Sequence, residues 1–222
     1  MHNTPPYMKL VDRPEGASSG LDRASADAHW AALVKRAQHG DVEAFERLAG
    51  EHYQAVYAFS VGLSGDPAEA ADVAQEALLK AYRKLGSYRF AASFRSWLLQ
   101  VTRNTFRDRI RAQQQQRAKM QRLAERTVSQ PSADPEQALV AKQTRAQLQV
   151  ALSQLEPQFR EVVVLFDLQG FAYREIAEIC EVPMGTVKSR LRRGRDGLRR
   201  LLVADGVIGC LQPKDDGRSR SG

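Results

Sequence analysis

Residues 173–202 read YREIAEICEVPMGTVKSRLRRGRDGLRRLL. Tyr173 to Cys180 form a short amphipathic helix, Glu181-Val182 a tight connection, and Pro183 opens a second helix. Proline is tolerated in a first helical turn because the N–H it lacks would have no partner there. Two short helices joined by such a turn make a helix-turn-helix. In the second helix Val187, Leu191, Gly194 and Leu198 recur at i, i+4, i+7 and i+11 and pack inward, with Gly194 permitting close helix approach. The other faces carry Lys188, Ser189, Arg192, Arg193 and Arg195. From 183 to 202 there are seven basic residues and one acid, Asp196, a net +6. A helix of this kind lying in a major groove offers phosphate anchors and one or two base readers. A merely solvated basic face would leave the helix-turn-helix spacing before it unexplained.

Working outward, the helical period persists. Trp30, Leu33, Val34 and Ala37 share one face, and Gly40 stands where a C-terminal cap belongs. Asp41 caps a second helix with the stripe Phe45, Leu48, His52, Val56 and Phe59. Asp66-Pro67-Ala68-Glu69 is a strong helix start, with Glu69 placed to complete a capping box. That helix would bury Val73, Ala77, Leu78, Ala81 and Leu85, and Gly86-Ser87 would end it. A fourth helix shows Phe94, Trp97, Leu98 and Val101 on one side. No stretch alternates with period two long enough to suggest a sheet. The fold class expected is all-α, as two small helical domains, 28–112 and 138–204. A polar linker at 113–137, with frayed helix at its start, would join them, marked by the Gln113 to Gln116 run and by Pro131 and Pro135. Residues 1–27 and 205–222, poor in bulky apolar groups, read as disordered tails.

Composition excludes several classes. The longest strictly apolar run, Val162 to Phe166, is too short to span a bilayer. The N-terminal segment lacks the apolar core of a secretory signal. Two cysteines, Cys180 and Cys210, make neither a disulfide framework nor a zinc cluster, and the four histidines have no ligand spacing. Cys180 reads as a small core residue, a redox pairing with Cys210 being the less economical reading. No metal or cofactor is expected, and the default compartment is the reducing cytoplasm. The formal charge of +7 and pI near 9.6 favour a polyanionic partner.

Two further surfaces stand out. From 89 to 126 there are ten Lys or Arg and two acids, beginning beside Tyr88, Phe90 and Phe94. Rings stack on bases and cations track phosphates, so this suits single-stranded nucleic acid. Phe94 and Trp97 lie on an apolar face and belong to a core, whereas Tyr88 and Phe90 precede the helix and are freer to meet a base. The helix from Asp66 is acidic instead. Asp72, Gln75, Glu76 and Leu79 lie away from its core stripe, and an apolar Leu79 among acids and amides suits a protein partner. An ordinary solvated helix face remains the competing reading.

These segments together resemble the extracytoplasmic-function sigma factors of the sigma-70 family. Asp66-Pro67, Asp72-Val73-Ala74-Gln75-Glu76, Leu79, Ala92-Ser93-Phe94-Arg95-Ser96-Trp97-Leu98 and Arg103-Asn104 are similar to the sigma-two domain. Leu152-Ser153-Gln154-Leu155, Phe159-Arg160-Glu161-Val162, Tyr173, Glu175-Ile176-Ala177 and Pro183 to Leu191 are similar to the sigma-four domain. The resemblance covers both domains in order. It implies a subunit that binds core RNA polymerase, directs it to promoters through −10 and −35 elements, and promotes melting. Asp72, Gln75, Glu76 and Leu79 would dock on the clamp helices of the β′ subunit. Tyr88, Arg89, Phe90, Ser93, Arg95, Arg103, Asn104 and Arg107 would meet the −10 element, whose unstacked base the loop before Ser93 would capture. Thr186, Lys188, Ser189, Arg190, Arg192, Arg193 and Arg195 would meet the −35 element. The β flap, promoter DNA and an anti-sigma factor are the other implied partners, the last able to hold the chain at the inner membrane. The family's capture loop often contains glycine, whereas here it reads Ser87-Tyr88-Arg89-Phe90-Ala91-Ala92.

An autonomous helix-turn-helix regulator is the alternative. It explains the second domain but leaves the acidic patch and the basic-aromatic segment without a role. A DNA-processing enzyme needs a nucleophile with cationic helpers or a carboxylate metal cluster. The densest acids, Asp66, Glu69, Asp72 and Glu76, spread along a capped helix and are better explained by capping and docking, so no catalysis is expected.

Overall fold

A computed structural model describes residues 30–123 and 140–204, and among these there is no strand. Both expected tails lie outside the described residues, as do most of the expected linker and Cys210. Eight α-helices follow in order: α1 (30–38), α2 (Val42–Ser64), α3 (Pro67–Lys84), α4 (Phe94–Leu123), α5 (Val140–Gln154), α6 (Pro157–Val163), α7 (Tyr173–Cys180) and α8 (Met184–Ala204). No described helix is long and apolar enough to cross a membrane.

Local chemistry sets the boundaries. Asp41 Oδ1 accepts from the Ala44 amide at 3.0 Å and starts α2, and Gly65 closes it at φ 78°, a conformation open to glycine at little expense. Asp66 Oδ1 accepts from the Ala68 amide at 2.8 Å and Pro67 occupies the first turn of α3. Glu69 makes no capping box; its carboxylate meets the Gln113 amide at 3.5 Å. A 3₁₀ turn at Leu85–Ser87 leads to the loop before α4, where Ser93 Oγ accepts from the Ser96 amide at 3.1 Å. After α6 the backbone widens into a π turn, Val164–Leu168, closed by the Gln169 amide on the Val164 carbonyl at 3.0 Å.

The first four helices bury Leu33, Leu48, Phe59, Val73, Ala77, Leu98 and Leu99. The last four, with the π turn between α6 and α7, bury Leu152, Val163, Leu165, Ile176, Val187, Leu191 and Leu198. Gly194 is where α8 crosses α6: a Cβ there would lie 2.6 Å from Val163 Cγ2 and 3.1 Å from the Phe159 carbonyl oxygen.

Two features differ from the sequence expectation. First, the helix that enters the expected linker is long: α4 runs through the glutamines to Leu123, about 45 Å at 1.5 Å per residue. Glutamine is a good helix former, and no Gly or Pro interrupts the helix before its end. Second, the two helical units do not stand apart on a tether. α4 packs on α7, and α2 packs on α5, α6 and the π turn, so one apolar cluster runs through both units. Gly62 of α2 makes this possible, since a Cβ there would meet Val164 Cγ1 at 2.6 Å.

Candidate nucleic-acid interface

The helix-turn-helix forms as its periodicity predicts. Glu175 Oε2 accepts from the Ala172 amide at 2.9 Å and opens α7; Glu181 ends it at φ 56°. Val187, Leu191, Gly194, Leu198 and Leu202 are buried along α8. Lys188, Ser189, Arg192 and Arg193 are exposed together, while Thr186 is half-buried. Lys188 Nζ stands 6.0 Å from the centre of the Tyr173 ring. The remaining two candidates turn inward. Arg195 donates from Nε to Asp167 at 3.0 Å, makes a second short contact to the same carboxylate, and lies over the Phe166 ring at 4.9 Å. Asp167 is buried, brought under α8 by the π turn. Arg190 is half-buried, with Nη1 shielded from solvent.

The segment 88–107 is divided in the same way. Tyr88, expected to be free for a base, is 6% exposed. The 3₁₀ turn sends its ring in among Phe90, Phe94 and Trp97, and its hydroxyl donates to the Ala92 carbonyl at 2.6 Å. It is a core side chain. Phe90 is the exposed ring of the loop and has φ 58°, the left-handed region that glycine enters most easily. Lys35 Nζ lies 5.9 Å from its centre. Arg89 is exposed and donates to the Gly86 carbonyl at 2.7 Å; Asn104 is exposed. Ser93 is the cap of α4.

Arg95, Arg103 and Arg107 face the second helical unit. Arg95 lies over Phe171 at 4.5 Å and donates to Gln169 Oε1 at 3.0 Å. Arg103 is 3% exposed and donates from Nε to Glu161 Oε2 at 2.9 Å. Arg107 donates from Nε to Glu161 Oε1, also at 2.9 Å. Charge counting had also passed over a cleft of about 410 Å³ beside Asn104, lined by Lys80, Arg83, Lys84, Trp97 and Gln100. The signal for it was the basic triplet at i, i+3 and i+4 at the end of α3.

On the acidic helix, Leu79 is 54% exposed, and Asp72 and Gln75 are exposed near it. Leu79 borders a groove of about 560 Å³ between α2 and α3, with Val42, Tyr53, Leu78 and Tyr82 in its walls. Glu76 is paired with Lys80 at 2.9 Å and Arg109 at 3.2 Å, and Arg109 also reaches Asp72 at 3.5 Å. Partial burial pulls the Glu76 pKa up, but hydrogen bonds from Lys80 and Arg109 outweigh it and leave the carboxyl below its ordinary value. Cys180 is buried, which pushes its thiol up to about 12 and keeps it from acting as a thiolate.

Comparison with known proteins then places the chain. Residues 48–116 match the family model for sigma-70 region 2, and residues 145–197 that for sigma-70 region 4. The extracytoplasmic-function (ECF) RNA polymerase sigma factor SigE of Mycolicibacterium smegmatis is 36% identical over 72% of the chain, which spans 62% of that protein. The RNA polymerase sigma-H factor of Pseudomonas aeruginosa is 31% identical over 77% of the chain and 92% of its own length. The ECF sigma factor SigW of Bacillus subtilis is 32% identical over 76% and 94%. The chain belongs to the ECF sigma factors of the sigma-70 family.

Solved sigma factors share its fold. The sigma factor RpoE of Bartonella quintana, in complex with the anti-sigma factor NepR, aligns with TM-score 0.58 and 28% identity over 72% of this chain and 98% of that one. CnrH, in complex with the cytosolic domain of CnrY, aligns with TM-score 0.56 and 25% identity over 78% and 96%. The ECF sigma factor described here is an alternative specificity subunit that binds core RNA polymerase and directs it to promoters. An autonomous regulator is not favoured. The family consists of initiation factors that are not themselves enzymes.

Proposed function

We propose a residue-level division of that work. The groove between α2 and α3, with Leu79 at its edge and Asp72, Gln75 and Glu76 around it, receives the β′ clamp helices of core polymerase. Phe90 and Arg89 of the loop capture the unstacked −10 base, with Asn104 and the Lys80, Arg83 and Lys84 cleft beside them; Arg95, Arg103 and Arg107 join once α4 is uncovered. Lys188, Ser189, Arg192 and Arg193 enter the −35 major groove and Thr186 flanks them. Arg195 and Arg190 set the position of α8, and the β flap takes the helical unit that carries it. An anti-sigma factor restrains the chain, as the names of the two solved neighbours suggest by analogy. The protein works in the cytoplasm and catalyses no reaction of its own.

The observation that carries this reading is the shared exposed face of Lys188, Ser189, Arg192 and Arg193 over the buried stripe of α8. Transcription in vitro with core polymerase and a promoter-fragment library tests it. A −35 motif enriched with the wild type and changed by Arg193→Ala is the expected result. No dependence of start sites on this protein would refute it.

A further inference from the structure

We propose that α1 is a working part of the −10 capture site: Gln38 positions the loop that presents Phe90, and Lys35 takes the backbone phosphate beside the captured base. This rests on the assignment of that loop to the unstacked base. In the sequence α1 shows only a core stripe, and its contact with the loop arises from packing. Gln38 stands 47 to 50 residues before the carbonyls it reaches. Its Nε2 donates to the Leu85 carbonyl at 2.9 Å and to the Tyr88 carbonyl at 3.0 Å. A side-chain amide has two N–H donors, and both are spent on the 3₁₀ turn that feeds the loop. Tyr88 is held besides by its ring contacts and its hydroxyl, so the chain is fixed two residues before Phe90. Phe90 itself lies at φ 58°, a conformation bulky residues rarely adopt. It persists where the surroundings over-determine it. Gln38 supplies part of that constraint from outside the loop, and acts on DNA only through Phe90.

Lys35 lies one turn before Gln38 on the same side of α1, at i and i+3. It is exposed, and its Nζ stands 5.9 Å from the centre of the Phe90 ring. Among the described residues it makes no ion pair, whereas its neighbour Arg36 is bound to Asp41 at 2.6 Å. A cation at this distance is at the outer limit of attraction by a ring face, so Phe90 holds it loosely. A base stacking on Phe90 brings its own phosphate to the same neighbourhood. The flexible four-carbon stem of lysine lets the ammonium pass from ring to phosphate. Stacking and charge neutralisation then act on one nucleotide, the pairing that single-strand binding uses.

The test uses holoenzyme and a fork-junction DNA with an unpaired −10 strand, taken from a promoter found with the fragment library. A duplex carrying the −35 element alone is the control. Affinities are measured at several salt concentrations for the wild type, Lys35→Gln, Gln38→Met, Phe90→Ala and the double variant Gln38→Met/Phe90→Ala. Methionine keeps the length of glutamine and removes both donors. Phe90→Ala should weaken fork binding by between about fivefold and about a hundredfold. Lys35→Gln should weaken it and lower the salt slope by about 0.7, the value for one phosphate of a single strand. Gln38→Met should weaken it about three- to tenfold, leave the salt slope alone, and add nothing once Phe90 is alanine. No variant should alter binding of the −35 duplex. An unchanged salt slope in Lys35→Gln overturns the phosphate contact. A Gln38→Met loss that persists beside Phe90→Ala, or that appears equally on the −35 duplex, overturns the positioning role. A defective Phe90→Ala with both α1 variants normal refutes this inference alone. Normal fork binding by Phe90→Ala refutes the loop assignment, and the inference falls with it.

Discussion

Replacing Leu79 by alanine should weaken core polymerase binding about fivefold without disturbing the fold. Fully burying a leucine side chain is worth roughly 1.5–3 kcal/mol. Leu79 is 54% exposed in the free chain, so about half of that remains to be gained on docking, or about 1 kcal/mol. Alanine is also the better helix former, so α3 should not suffer. The affinity is measured by competition of labelled and unlabelled protein for core polymerase, and the fold by thermal unfolding. Arg109→Ala is the complementary change. It frees Asp72 and Glu76 from a surface pairing worth about 0.2–1 kcal/mol, and should tighten binding if the partner surface is basic. Unchanged polymerase affinity in Leu79→Ala, with an unchanged melting temperature, would show that the groove is not the docking surface.

Three further outcomes follow from the packing. His52 lies between the Trp30 and Phe94 rings, and burial, then the Arg95 charge, lowers its pKa from 6.5 to about 4. The unfolded chain binds the extra proton, so stability should fall as pH drops from about 6.5 through about 4, by at most about 3 kcal/mol. His52→Phe should remove that part of the slope in urea titrations between about pH 7 and about pH 5; an identical slope would show that His52 does not carry it. Gly194→Ala should destabilise by about 1–2 kcal/mol, because the new Cβ meets a backbone oxygen that cannot turn away, even after the gain in helix propensity. Gly197→Ala meets only the end of Leu155, so its melting temperature should equal or exceed the wild type's. In holoenzyme, Arg193→Ala should relax selection at one or two −35 positions. Lys188→Ala should weaken all promoters alike and lower the salt slope by about one unit. Binding to single-base −35 variants at two salt concentrations separates the two.

Short-range chemistry made the helices legible. The caps at Asp41 and Asp66, the stripe on α8 and the close approach at Gly194 all depend on residues within a few turns of one another. Non-local chemistry was not legible. Glu161 reads as an ordinary helix acid until α4, 54 to 58 residues away in sequence, is packed on it. The pairing of Arg103 and Arg107 with it was hidden because a charge count treats every cation as solvated. Tyr88 misled for a related reason: whether a loop ring points in or out depends on the 3₁₀ turn before it. Gly62 carried an unread signal, since a glycine within a helical stripe asks for something close by. The length of α4 was only partly legible because a polar glutamine run looks like a tether, although glutamine favours helix and only the prolines beyond it oppose one.

The basic count of α8 needs the same correction, and Arg195 supplies the test. Of the seven cations between 183 and 202, Arg195 is committed to buried Asp167 and Arg190 is partly withdrawn, leaving Lys188, Arg192, Arg193, Arg199 and Arg200 exposed. Removing one member of a buried pair strands the other charge and costs about 3–5 kcal/mol. Removing an exposed phosphate contact costs no fold stability but reduces the dependence of log K on log salt by about 0.9. Arg195→Gln and Arg193→Gln delete the same charge from the same helix, two residues apart. The first should lower the urea midpoint of the free protein, and the second should leave that midpoint alone and flatten the salt dependence of promoter binding by holoenzyme. If Arg195→Gln flattens the salt slope without destabilising the fold, the Asp167 pair does not persist on DNA, and Arg195 is a phosphate contact after all.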